Sequence, residues 1–373
     1  MPLDKLLSPV TIGSVALKNR MVMAPLTRNR AAQPGDAPDE MNARYYEQRA
    51  GAGLIVTEGT QISKQGQGYF ATAGIYTDEQ EAGWANVVKA VHAKGGKMSL
   101  QMWHVGRVSH RLVQEDMRQP VAPSAIRAEN TAVFVKHEDG SLGMVPTDEP
   151  RALDAAELPV IVQQYVAAAQ RAKRAGFDMV EVHAANGYLL HQFLATDTNR
   201  RTDAYGGSVE KRARFVVEVV EAVAEVLGAD RVGVRVSPNF AAFGMRDAEA
   251  QASTLHLATH LERLSIAYIH IAEPDWVGGE PLSDGFRAEL RAIYGGEIIV
   301  AGNYTSETAE QRLQNGQADA VAFGRAFLAN PDLVERFRLN APLNAPDPAT
   351  FFGGGEAGYT DYPTLDNALV SPD

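Results

Sequence analysis

The chain has 373 residues, 45% of them hydrophobic and 22% charged, long enough to bury one large α/β core or two smaller ones. Its formal net charge of −11 provides no global basic field for nucleic acid or anionic lipid, so any basic site has to be local. The absence of cysteine excludes disulfides, iron–sulfur clusters, thiolate zinc sites, cysteine nucleophiles and flavin attached through sulfur.

The first 20 residues carry no apolar segment behind a charged start, and no run of about 18 apolar residues follows, which predicts neither a signal peptide nor a membrane span and a cytoplasmic location. Residues 7–17 read as a short hairpin turning at Gly13-Ser14, a plug for one end of a barrel. Apolar, β-branched runs then recur at 21–24, 53–57, 97–101, 178–182, 231–236, 267–271, 297–301 and 319–323. Amphipathic helical patterns separate them, at 39–49, 78–94, 154–175, 209–226, 247–264, 285–294 and 306–314, with Asp78, Asp154 and Ser306 placed as N-caps. This alternation predicts parallel β-structure with right-handed crossovers: a (β/α)8 TIM barrel, with an open doubly wound sheet as the alternative, in one domain over residues 1–373. Residues 109–150 interrupt the third unit with Pro120, Pro123, Pro146 and Pro150, an alternating run at 132–136 and Asp139-Gly140. Such a loop with a hairpin beside a barrel mouth is expected to cover the active site. The tail, residues 342–373, is rich in Pro, Gly and Asp and is expected to wrap over the barrel or fray.

Chemistry in a barrel of this kind sits at the C-terminal ends of the strands. Those ends carry Pro25-Leu26-Thr27, Glu58-Gly59-Thr60, Gln101, His183, Arg235, Glu273, Gly302-Asn303 and Gly324-Arg325. No lysine stands among them, which argues against Schiff-base chemistry. Glu58 and Glu273 lack neighbours at metal-ligand spacing, so no metal site is predicted. The fourth strand runs into His183, Asn186 and Tyr188, two donors and an acid within six positions. Gly302-Asn303, with a helix opening near Ser306, and Gly324-Arg325 could together grip a phosphomonoester. In Val232-Gly233-Val234-Arg235-Val236 the odd positions share a face, which makes Arg235 a buried cation if that face points inward. It needs an anionic partner, either Glu181 at matching parity or a ligand. A literal GxGxxG at Gly353, Gly355 and Gly358 has neither a strand before it nor a helix after it and is discounted.

With these residues in place, the chain resembles the old yellow enzyme family of FMN-dependent ene-reductases, above all its bacterial N-ethylmaleimide, morphinone and nitrate-ester reductases. The likeness runs through Ala24-Pro25-Leu26-Thr27-Arg28, Thr57-Glu58-Gly59-Thr60, residues 100–107, 183–188 and 192–194, residues 202–208, Phe323-Gly324-Arg325 and residues 358–363. The resemblance implies FMN as cofactor and NADPH or NADH as reductant. Pro25, Leu26 and Thr27 would lie along the isoalloxazine with the Thr27 hydroxyl donating to it, Gly59 beside the ring, Gln101 on the pyrimidine edge and Arg235 at N1 and O2. Gly302, Asn303, Gly324 and Arg325 would take the phosphate. By the same resemblance, His183 and Asn186 would hold the carbonyl or nitro oxygen of an activated alkene, hydride would come from flavin N5, and Tyr188 would supply the proton. Tyr69, Trp103 and Tyr359 would shape the pocket. The implied partner is a small electrophilic alkene (enone, maleimide or nitroalkene, with nitrate esters as a further class), handled by a monomer or homodimer with no nucleic-acid or membrane partner. Two other readings stay open on the residues alone: a flavin-free phosphate-binding lyase or isomerase, and a flavin-binding sensor or store.

Overall fold

The computed structural model describes residues 2–275 and 278–365. Eight parallel strands carry the fold: β1 (Met21–Met23), β2 (Leu54–Val56), β3 (Met98–Trp103), β4 (Met179–Ala184), β5 (Val232–Val236), β6 (Tyr268–Ala272), β7 (Glu297–Ala301) and β8 (Ala320–Phe323). Each pairs with the next, and β8 pairs with β1, so the sheet closes into a barrel. Thr60–Gln61 extends the β2–β3 pairing beyond Glu58-Gly59.

Alternation along each strand decides what faces inward. Val180, Val182 and Ala184 of β4, like Val232, Val234 and Val236 of β5, pack outward against the helices in the large core. Met179, Tyr268, Ile299 and Ala320 point into the barrel floor. That leaves Glu181, His183, Gly233 and Arg235 on the inner face, as the parity argument requires. Gly233 is obligatory there: a Cβ would lie 2.1 Å from the Tyr268 ring. The N-terminal hairpin, Val10–Ile12 with Val15–Leu17, turns at Gly13-Ser14 and buries Ile12, Val15 and Leu17 against the floor residues, plugging that end.

The helices are α1 (Glu40–Glu47), α2 (Asp78–Ala93), α3 (Leu158–Ala175), α4 (Leu189–Leu194), α5 (Val209–Leu227), α6 (Ala250–Leu264), α7 (Asp284–Ile293), α8 (Ser306–Gln314), α9 (Arg325–Ala329) and α10 (Leu333–Leu339). Two of the expected N-caps move by one residue. Thr77 and Thr305, not Asp78 and Ser306, accept the first free N–H groups, each in a capping box closed by Gln80 or Thr308. Asp154 caps a single 3₁₀ turn ahead of α3. None of the described helices is long and apolar enough to cross a membrane.

Within the insertion, Ala132–Lys136 and Leu142–Pro146 form an antiparallel hairpin. Its Val133 and Val135 pack in a small cluster with Val108 and Val113, and Tyr69, Tyr188 and Phe243 lie against that cluster. The buried Arg107 guanidinium donates to the carbonyls of Ile126 and Arg127 on the insertion and, at 2.7 Å, to that of Phe243 on the loop after β5. The tail, described to residue 365, docks through arginines that follow β1. Arg28 donates to the Phe351, Thr350 and Gly358 carbonyls, and Arg30 to those of Gly355, Thr350 and Ala357.

Candidate active site

The mouth of the barrel brings together residues far apart in sequence. Pro25, Leu26 and Thr27 are half-buried between fully buried neighbours, a short ribbon facing the opening. Gly59 lies under Trp103, where a Cβ would meet the indole at 2.4 Å. On the far side, register pairs His183 with Arg235. The Tyr188 ring stands 5.4 Å from His183 and 4.9 Å, edge-on, from Trp103. Its hydroxyl lies 3.3 Å from that of Tyr69, which itself stacks on Trp103.

The loop carrying the trio is fixed through its backbone. Asn186 adopts a left-handed φ of 54°, and its N–H donates to Ser237 Oγ at 2.7 Å. The next N–H, of Gly187, donates to His191 Nδ1 at 3.0 Å. Gln192 Nε2 donates to the Gly187 carbonyl. The Asn186 side-chain amide itself has no partner among the described residues. Ser237, His191 and Gln192 carry this support, and sequence reading assigned none of them that role.

Burial sets the protonation states. It pushes the Tyr188 phenol well above 10 and the Tyr69 phenol to about 12, so both hold their protons at neutral pH. It drives His183 well below 6.5, reinforced by Arg235, so the imidazole is neutral. Three buried polar atoms around the opening have no hydrogen-bond partner: His183 Nδ1, Trp103 Nε1 and Arg235 Nε.

Of the two partners considered for Arg235, Glu181 does not hydrogen-bond it among the described residues. The two Glu181 oxygens are taken by Gln101 Nε2 at 2.7 Å and His270 Nδ1 at 2.8 Å. The Arg235 guanidinium, 8% exposed, makes no hydrogen bond among the described residues. Such a cation is costly without an anion, which is what a ligand with negative charge at that edge would supply.

The residues read as a phosphate grip stand at neighbouring strand ends. Ala301 and Ala322 are register partners, so Gly302 and Gly324 emerge side by side. Added Cβ atoms would press on Glu273 Cβ and Leu26 Cδ2, each at 3.3 Å. At the helix opening at Ser306, Thr305 Oγ1 accepts from the Thr308 N–H and Thr308 Oγ1 from the Thr305 N–H. The N-terminus of α9, capped by the backbone of Gly324 without a side-chain bond, is free. Asn303 is exposed nearby, and Arg325 donates to both oxygens of Asp275, at 2.7 and 2.8 Å. These cradles and unpartnered atoms fit a phosphorylated, polar-edged planar cofactor.

Tyr359 sits beneath the arginines that dock the tail. It is fully buried, stacked 4.0 Å from Tyr45, with its hydroxyl accepting from Asn42 and with Arg28 and Arg30 over its ring. Glu58 belongs to the same buried cluster. Burial raises its carboxyl to about 7 against the pull of Arg28, and its partners are the Tyr46 hydroxyl and the Arg28 N–H. Because the folded value lies above the unfolded one, near 4.3, this group favours folding at low pH, and that contribution is lost as pH rises through about 7. Glu58→Gln is therefore expected to raise the Tm more at pH ~8 than at pH ~5, a difference that differential scanning calorimetry at the two pH values reads directly.

A family model described as NADH:flavin oxidoreductase / NADH oxidase matches residues 5–344. The chain belongs to this family. Among related flavin oxidoreductases, it is 57% identical to morphinone reductase solved in complex with tetrahydroNAD, with a TM-score of 0.94 over 99% of this chain and 100% of that one. It is 41% identical to a putative 12-oxophytodienoate reductase 11 of Oryza sativa subsp. japonica, covering 96% of this chain and 97% of the relative. The same identity, over 97% and 98%, links it to a probable flavin mononucleotide-dependent alkene reductase of Leishmania infantum. The flavin-free lyase or isomerase reading has no support beside this family membership.

Proposed function

We propose that this flavin oxidoreductase is an NAD(P)H-dependent, FMN-bound ene-reductase acting on small activated alkenes (enones, maleimides and nitroalkenes), with nitrate esters as a further class to try. The reading is carried by one observation: at the barrel mouth His183, Trp103 and Arg235 each carry a buried polar atom with no partner among the described residues, beside a protonated Tyr188–Tyr69 pair. Bound FMN supplies the two-electron chemistry, accepting reducing equivalents from NADH or NADPH and passing them to the alkene. Pro25, Leu26 and Thr27 hold one face of the ring, and Gly59 leaves room beside Trp103. Gly302, Asn303, Gly324 and Arg325 hold the phosphate.

The protein's own chemistry then falls to three side chains. Neutral His183 and Asn186 donate to the carbonyl or nitro oxygen, orienting the alkene and drawing density from its β-carbon. Tyr188 passes its proton to the α-carbon, with the Tyr69 hydroxyl 3.3 Å away to steady the phenolate left behind. The insertion hairpin, packed over Tyr69 and Tyr188, excludes water. An acidic chain of this composition suits a cytoplasmic enzyme without a nucleic-acid partner, as a monomer or homodimer. Purified protein is expected to be yellow, to bleach on anaerobic mixing with NADPH or NADH, and to recover colour on adding an enone. A preparation that is colourless and cannot be reconstituted with FMN removes this reading, and one that bleaches but turns over no alkene leaves a flavin sensor or store.

A further inference from the structure

Inside the barrel, one layer below the mouth, lies a wholly buried carboxylate that the reaction above does not use. Glu181 and Gln101 are register partners on β4 and β3, and His270 comes from β6. Glu181, His270 and Gln101 are 0%, 0% and 2% exposed. A carboxylate only accepts, so the Gln101 group 2.7 Å from Glu181 Oε1 has to be its NH2. The Gln101 carbonyl oxygen is thereby the end left over, and no described residue donates to it. Burial opposes the Glu181 charge, while His270, Arg235 and Gln101 hold the carboxyl down at about 2. Burial also keeps His270 below its ordinary value, a neutral donor through Nδ1. Tyr268 and Ser99, hydrogen-bonded to each other at 3.1 Å, are further polar neighbours in this layer, and Thr57 Oγ1 accepts from the Gln101 N–H at 3.0 Å.

We propose that Glu181 is a positioning residue for the cofactor: it locks the Gln101 amide so that an oxygen acceptor, not an NH2 donor, faces the flavin's pyrimidine edge, and its fixed charge offsets part of the Arg235 cation. This rests on the FMN reading above. A guanidinium with no counter-charge at that edge would stabilise the negative charge that reduction adds to the ring and raise the potential strongly. With Glu181 in the layer beneath, the field at the ring is that of a cation partly screened by an anion, and the potential is set lower.

The test is spectroelectrochemical titration of the FMN-loaded protein. Wild type that holds no FMN would sink the cofactor reading itself, before any variant is made. Given loaded wild type, Glu181→Gln removes the charge at nearly constant shape. Its midpoint potential is expected to move positive by a tenfold change in the reduction equilibrium, ~30 mV for a two-electron couple. His270→Leu strips a donor from the carboxylate while leaving its charge, so its potential is expected to move the other way. A Glu181→Gln potential within twofold of wild type, or shifted negative, overturns the proposal. Should that variant fail to fold or to keep FMN, an unchanged or positive shift in His270→Leu overturns it equally.

Discussion

Tyr188→Phe is expected to leave flavin reduction by NADPH or NADH nearly intact while slowing reoxidation by weakly activated enones by ~10²-fold, the low end of what a positioned general acid contributes. The low end is chosen because the Tyr69 hydroxyl remains 3.3 Å from the lost group and can act through water. A double variant with Tyr69→Phe should therefore lose more than either single change. Burial holds the Tyr188 phenol well above 10, so its acid form is complete throughout the neutral range and lost only above the raised value. Wild-type reoxidation should accordingly be flat from pH ~6 to pH ~9. Stopped-flow traces of the two half-reactions decide the matter, since equal losses in both would remove Tyr188 as the proton donor.

His183→Leu is expected to lower kcat/KM for enones by ~10² to 10³, the effect of removing one donor from a developing oxyanion. FMN should remain bound, because His183 belongs to the substrate side of the opening. Asn186→Ala should cost less, since Asn186 is held through its backbone N–H to Ser237 and its side chain is the freer of the two. His183 lies far below 6.5, so it stays neutral as pH falls to ~6. A rate that drops with an apparent pKa near 6.5 would mean that a protonated His183 had become the inactive form, against the burial described.

The eight barrel strands were legible because both faces of each are buried, which leaves largely apolar runs broken by few polar residues such as Gln101, Glu181 and His270. The short helices were not. In α4 all of Leu189, Leu190, His191, Gln192, Phe193 and Leu194 are buried, so no amphipathic period marks it, and α9 spans little more than one turn. Parity within a strand placed Arg235 inward but could not say whether Glu181 would face it directly. That depended on His270, which shares the inward parity of Tyr268 on β6 and was the one readable clue to the layer beneath the mouth. The surroundings of Tyr359 were illegible for a different reason. Its stacking partner Tyr45 and the arginines over its ring lie more than 300 positions earlier in the chain, a contact that neither periodicity nor spacing encodes.

The docking of the tail on Arg28 and Arg30 bears on how the protein is made. The ribbon at Pro25, Leu26 and Thr27 is followed by two arginines tied to carbonyls more than 300 positions later, between Thr350 and Gly358. The barrel seam has the same delay, because Met21–Met23 must wait for Val321–Phe323. Domains generally assemble as translation proceeds from the N-terminus. The Arg28 and Arg30 guanidiniums therefore lack these partners until residues 350–358 have been made, so this side of the barrel mouth closes late in folding.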